Sequence, residues 1–130
     1  NLGCFDESGI MPSWIITHNN RKYLYYIGWN VGTSIRYRVS LGLAISDDNG
    51  LSYKKIGKGP ILSSSLHEPF LIGDPFVAKF NNIFHMWYLY GLRWVKQNKG
   101  VELDRVYKIG HATSIDNISW KKDGKQIKKQ

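Results

Sequence analysis

An internal repeat constrains this chain more than any other feature. Gly42-Leu43-Ala44-Ile45-Ser46-Asp47-Asp48-Asn49 recurs, at an offset of 68, as Gly110-His111-Ala112-Thr113-Ser114-Ile115-Asp116-Asn117. After one deletion, Ser52-Tyr53-Lys54-Lys55 returns at an offset of 67 as Ser119-Trp120-Lys121-Lys122. Upstream, Pro12, Asn19, Tyr25 and Gly28 match Pro75, Asn82, Tyr88 and Gly91 at a spacing of 63, and Trp29 and Trp94 lie 65 apart. Two copies of one unit of about 65 residues therefore fill the 130-residue chain, with an insertion around 95–104 stretching the offset.

The composition of each unit selects strands. The chain has 18 aromatic residues, concentrated in runs such as Tyr23-Leu24-Tyr25-Tyr26 and Met86-Trp87-Tyr88-Leu89-Tyr90. Aromatic and β-branched side chains fit a pleated, half-buried surface. No stretch of 11 or more residues shows apolar residues at the i, i+3, i+4, i+7 spacing of a helix with clean flanks. The fold class is therefore all-β. Four strands are expected per unit, near 13–17, 23–29, 40–46 and 52–56, then near 76–80, 84–92, 107–113 and 119–122. His18-Asn19-Asn20-Arg21, Asn81-Asn82 and Asp47-Asp48-Asn49-Gly50 have turn chemistry between them. Four-stranded antiparallel units in tandem are blades of a β-propeller. The units span about 9–61 and 72–127. Two blades cannot close a ring, so the chain is expected to be a partial propeller domain. It either self-associates or needs its missing blades. A start at Asn1, without methionine or an apolar leader, points the same way.

Charge and cysteine content narrow the partners. The formal net charge is +8, and residues 96–130 hold nine Lys/Arg against four Asp/Glu. A polyanion contact is one reading of that end. Without a nucleic-acid module beside it, a solvated lysine-rich end is the better one, and no nucleic-acid partner is expected. No apolar run approaches the ~20 residues of a membrane-spanning helix, so no membrane partner is expected either. The single cysteine, Cys4, excludes an internal disulfide and a cysteine-based zinc cage. It suits a reducing, cytoplasmic setting without establishing one. His18, His67, His85 and His111 show no metal-ligand spacing, and no cofactor or metal is expected.

Asp74-Pro75-Phe76-Val77, Asn81-Asn82 and His85-Met86-Trp87-Tyr88 together resemble the Asp-Pro motif of five-bladed glycosidase propellers. These are the arabinanase, xylosidase and invertase-like enzymes of glycoside hydrolase families 43 and 32. Ala112 to Trp120 is similar to their outer strands. A closer resemblance, over nearly the whole chain, is to glycosidase-like propellers bearing three motifs. Here those are Phe5-Asp6-Glu7-Ser8-Gly9-Ile10-Met11-Pro12-Ser13, Tyr23-Leu24-Tyr25-Tyr26-Ile27-Gly28-Trp29-Asn30 and Glu68-Pro69-Phe70.

The resemblance implies a carbohydrate partner and carboxylate acid/base chemistry, in which one acid protonates the leaving oxygen and a second carboxylate attacks or activates water. Asp74 matches the carboxylate that tunes a pKa and holds the sugar; its alternative is a turn or strand cap before Pro75. Asp6 is the candidate first-blade base or nucleophile, with Glu7 as a substitute. Glu68, the third catalytic candidate, either faces the axial funnel in which the resembled enzymes gather their carboxylates or bonds a turn. The family's general-acid glutamate has no match in the chain. Trp29 and Trp94 either stack on a sugar or fill between blades, and Arg93 and His111 join them as substrate-binding candidates. Asp48 and Asp116 read as hairpin aspartates. A non-catalytic carbohydrate-binding propeller and a protein-interaction propeller are the alternatives to a glycoside hydrolase.

Overall fold

A computed structural model describes residues 2–34, 37–96 and 103–124, with side chains described throughout except at 93–96 and 103–106. Eight strands follow in chain order: β1 (Gly9–His18), β2 (Arg21–Val31), β3 (Tyr37–Ser46), β4 (Lys54–Lys55), β5 (Ile72–Phe80), β6 (Ile83–Lys96), β7 (Leu103–Ser114) and β8 (Lys121–Lys122). They form two four-stranded antiparallel meanders, β1-β2-β3-β4 and β5-β6-β7-β8. No helix occurs among the described residues. The all-β, two-sheet expectation holds. The inner three strands of each sheet run longer than expected, and the outer strands β4 and β8 shrink to two residues.

Local chemistry explains the identical layout. β1–β2 and β5–β6 are joined by two-residue turns, Asn19-Asn20 and Asn81-Asn82, with φ of 50°, 62°, 53° and 60°. A hairpin twisting in the sense of its strands needs φ > 0 at both positions, and asparagine tolerates it. Each inner strand also carries a bulge, between Pro12 and Trp14 in β1 and between Gly73 and Phe76 in β5.

The strand register corrects the upstream repeat spacing. Tyr26 pairs with Gly42 and Tyr88 with Gly110, while Trp14 pairs with Tyr25 and Phe76 with Trp87. Tyr26 is thus the counterpart of Tyr88, and Asn19-Asn20 of Asn81-Asn82, at a spacing of 62 rather than 63. The spacing of 63 aligned proline with proline. In the sheet, Pro12 corresponds to Asp74, and Pro75 falls within the bulge. Nor are Trp29 and Trp94 equivalent, since Trp29 matches Gly91 by register.

The two sheets stack face to face. From the first come Tyr23, Tyr25, Ile27, Leu41 and Leu43; from the second come Ile72, Val77, Met86, Tyr88, Tyr90 and Ala112. Burial of each such aliphatic side chain contributes roughly 1.5–3 kcal/mol. Polar contacts fix the stacking. The Trp14 indole Nε1 donates to the Val77 carbonyl at 3.1 Å, and the Tyr25 hydroxyl donates to Asn117 Oδ1 at 2.8 Å. We call the side of the first sheet turned to the second its forward face, and the opposite side its rear face. The second sheet meets the first with its own rear face.

Candidate functional site

A cavity of about 580 Å³ opens where the start of β5 passes the ends of β1, β2 and β3. Met11, Ile27, Trp29, Tyr37 and Val39 line it from the first sheet, and Gly73, Asp74, Leu89 and Tyr107 from the second. Trp29 reaches it because its ring lies across Gly9, where a Cβ would sit 2.3 Å from the indole. The walls are apolar and aromatic. Asp74 is the one carboxylate on them among the described residues.

Asp74 also has an unusual backbone. Its φ is 46°, whereas every other non-glycine residue of positive φ among the described residues is an asparagine in a turn or loop. Holding an L-residue in this left-handed region costs about 1–2 kcal/mol, least for Asp and Asn. The first sheet cannot copy the device, because the ring of its counterpart, Pro12, locks φ in the negative, right-handed range. The bulge therefore presents an exposed carboxylate at the cavity on β5 alone.

The other two carboxylate candidates do not line this cavity. Asp6 lies on the rear face of the first sheet, packed over Gly28, where its Cβ is 2.7 Å from the position a glycine Cβ would take. Its Oδ2 pairs with Lys55 Nζ at 2.6 Å and accepts the Tyr26 hydroxyl at 3.5 Å. Glu68 is buried. Its carboxylate accepts the Tyr88 hydroxyl at 2.8 and 3.0 Å and pairs with Lys122 Nζ at 2.8 Å. The two sets are repeat equivalents: Tyr26 matches Tyr88, and Lys55, opposite Ala44, matches Lys122, opposite Ala112. Asp6 and Glu68 stand at the same spacing of 62 as the tyrosines. In both, the tyrosine ring crosses a glycine, Gly42 or Gly110, where any Cβ would meet the ring at 2.2 or 2.6 Å. Burial, reinforced by Asp6, pushes the Tyr26 hydroxyl up to about 12. Burial and the Glu68 hydrogen bond push Tyr88 higher still. Both phenols stay protonated and donate to the acid. Each acid thus ties the segment before an inner strand to the outer strand of the same sheet. The spacing of 62 was the available signal, obscured by the proline alignment at 63.

Other candidates scatter. Glu7 is exposed and accepts the Gly3 amide at 3.1 Å. His111 lies on the forward face of the second sheet, with Nδ1 2.6 Å from Asp123 and Nε2 3.0 Å from His85 Nδ1. Phe80 stacks on His85 at 3.8 Å, and burial followed by the His111 charge lowers the His85 pKa. This Asp123–His111–His85 chain was not foreseen from sequence, because its members come from β6, β7 and the segment after β8. Arg93 and Trp94 lie outside the residues whose side chains are described; their backbones pair with Val106 and Arg105. Asp48 and Asp116 close the β3–β4 and β7–β8 turns, accepting Ser46 and Ser114 hydroxyls at 2.7 and 3.0 Å. Among the described residues no three His, Cys, Asp or Glu gather as metal ligands. No helix there is long and apolar enough to cross a membrane.

Solved structures share this arrangement. The GH32 β-fructofuranosidase BmSUC1 of Bombyx mori is similar over 92% of this chain and 22% of its own, with a TM-score of 0.64 and 22% identity. A mutant of that enzyme in complex with sucrose matches over 83% of this chain and 21% of its own, at 0.64 and 22%. A glycosyl hydrolase from Bacteroides ovatus matches over 92% and 30%, at 0.60 and 22%. The two sheets are blades of a glycosidase-like propeller fold. Uncharacterized proteins from two Mycobacterium tuberculosis strains, CDC 1551 / Oshkosh and H37Rv, are 28% identical over 121 residues. The match covers 92% of this chain and 38% of each relative, so the chain spans well under half of their length. No protein-family model matches the chain.

Proposed function

We propose that the chain forms two consecutive blades, 9–61 and 72–127, of a five-bladed carbohydrate-active propeller. In this reading Asp74 is the carboxylate it lends to a glycoside hydrolase site. The observation that carries the reading is the strained Asp74 backbone, which holds an exposed carboxylate at the edge of an aromatic cavity. Trp29 supplies a ring face for the C–H side of a sugar, and Asp74 accepts its hydroxyls. Cleavage needs two carboxyl groups about 5–10 Å apart across the scissile bond. Asp6 and Glu68 are committed to lysine and tyrosine, so the partner acid comes from another blade. The glycoside hydrolase neighbours, one holding sucrose, support a carbohydrate ligand. A non-catalytic binding propeller is the second reading, favoured by the single carboxylate at the cavity.

The experiment is calorimetric titration of the 130-residue chain with sucrose and a set of short glycans, alongside hydrolysis assays. Binding without turnover is expected, and Asp74→Asn abolishes it while the circular dichroism stays unchanged. In a protein of the relatives' full length, the same substitution abolishes turnover. Unaltered binding in Asp74→Asn refutes the assignment.

A further inference from the structure

The contact between the two blades is sealed along part of its length and open at the start of β5. In the sealed part Tyr25, Leu41 and Val77 are buried. At the open end the two walls part around the cavity, and a side chain is missing there. Gly73 corresponds by register to Met11 of the first blade, since they pair with Leu89 and Ile27. A Cβ on Gly73 would meet the facing Ile27 Cδ1 at 3.9 Å, which is ordinary van der Waals contact. Nor does Gly73 have a positive φ. Neither crowding nor backbone strain therefore requires a glycine, and its effect is to leave a groove open beside Asp74.

The chemistry of the groove is apolar. Met11, Ile27 and Val39 line it from the first blade, and Leu71 and Ile72 from the second. None of the five has a nitrogen or oxygen in its side chain. A sugar ring seated among them would bury hydroxyls without partners, which weakens binding. No cation lines the cavity among the described residues, so an acidic sugar finds no counter-ion either. An aryl or alkyl group loses no hydrogen bond there and gains by leaving water. The volume of about 580 Å³ is that of a small-molecule site. Both walls belong to consecutive blades of this chain, so no further blade comes between them.

We propose that the groove beside Gly73 takes the apolar aglycone, aryl or alkyl, of a glycoside whose sugar is held at Asp74. The proposal rests on the carbohydrate reading and narrows its substrate class, from glycans in general to glycosides of phenols and apolar alcohols.

Calorimetric titration of the 130-residue chain with matched methyl and phenyl glycosides of glucose, xylose and arabinose tests it, with cellobiose and xylobiose as two-sugar controls. For the sugar that binds, the phenyl glycoside is expected to be tighter than the methyl one by about tenfold or more, the scale on which apolar pockets discriminate. Gly73→Leu fills the groove and is expected to lose most of that gain. Met11→Gln, at a side chain 51% exposed and so of little consequence for folding, is expected to reduce it in the same direction. Asp74→Asn, read on the methyl glycosides alone, tests the carbohydrate reading separately. Phenyl glycosides that bind no more tightly than methyl ones overturn the proposal and leave the carbohydrate reading standing. So does a phenyl preference that survives both groove substitutions, or a disaccharide that equals the phenyl glycoside. If neither series binds, both fall.

Discussion

The two blades share turns, bulges, register and an acid–tyrosine–lysine set, yet they differ in what covers that set. In the second blade the set lies under the first: the Lys122 and Glu68 side chains are mostly buried, and the lysine also donates to the Ser63 carbonyl and Ser65 hydroxyl. In the first blade, Lys55 is half open to solvent and its ammonium lies 5.5 Å from the Tyr26 ring centre. The acid and the tyrosine are thus buried in both copies, and the lysine alone differs, mostly buried in the second blade and half open in the first. Repetition dictates the geometry, and the neighbouring sheet dictates the energy.

The largest effect expected from that difference is on stability. Removing one partner of a buried ion pair strands the other charge and costs about 3–5 kcal/mol. Lys122→Met is expected near the low end of that range, since the pair keeps slight solvent access. Lys55→Met is expected to cost less, about 1–3 kcal/mol, because the ammonium it removes is half solvated, although it leaves the buried Asp6 carboxylate with only the Tyr26 hydroxyl. Urea unfolding of both variants makes the comparison, and equal losses would show that cover by the neighbouring blade is energetically irrelevant.

How much of this was legible in sequence follows from range. Turns and strand classes are local: Asn19-Asn20, Asn81-Asn82 and the aromatic runs specify them by short-range sterics and alternation. Asp74 was legible through its motif, though its left-handed backbone was not, because a φ depends on the bulge around it. Partners of Asp6 and Glu68 were not legible. Lys55 is 49 residues from Asp6, and only the pairing of outer strands brings such residues together. The one-residue slip in repeat spacing had a similar origin. Identical prolines outweighed identical asparagine turns until strand pairing decided between them.

A smaller, pH-dependent difference separates the forward faces. His85 in the second blade stands where the first has Tyr23. Its folded-state pKa is depressed, by burial first and then by the His111 charge, so the folded protein binds the proton less well than the unfolded chain. The unfolded chain then holds more protons below the ordinary histidine value of about 6.5. Stability contributed by neutral His85 is thus complete above that pH and is lost as pH falls through it. Urea midpoints at pH 7.5 and 5.5 measure the loss, and His85→Gln, which keeps a polar group and cannot titrate in this range, is expected to shrink it. An unchanged difference in that variant assigns the loss elsewhere.

The smallest effect belongs to the outer turns, where the blades are most alike. Asp48 accepts the Ser46 hydroxyl at 2.7 Å, the Ser52 amide at 2.9 Å and the Ser52 hydroxyl, and its pKa is lowered to about 2, first by the Ser52 side chain. Asp116 accepts the Ile118 and Ser119 amides at 2.9 Å each, which lower its pKa through backbone donors foremost. Hydrogen bonds that favour the carboxylate depress a pKa in either case. For an acid so depressed, the stabilising contribution is present above its ordinary value of 3.8 and disappears as pH falls toward the folded value, near 2 for Asp48. Because Asp48 relies on two serine hydroxyls, Ser52→Ala is expected to raise its pKa, whereas Ser119→Ala leaves Asp116 unmoved, its bond there coming from the backbone amide. Carboxyl-carbon NMR titration between pH 1.5 and 5 reads both residues at once. An Asp48 as unmoved by Ser52→Ala as Asp116 is by Ser119→Ala would mean that backbone amides, rather than hydroxyls, hold both turns closed.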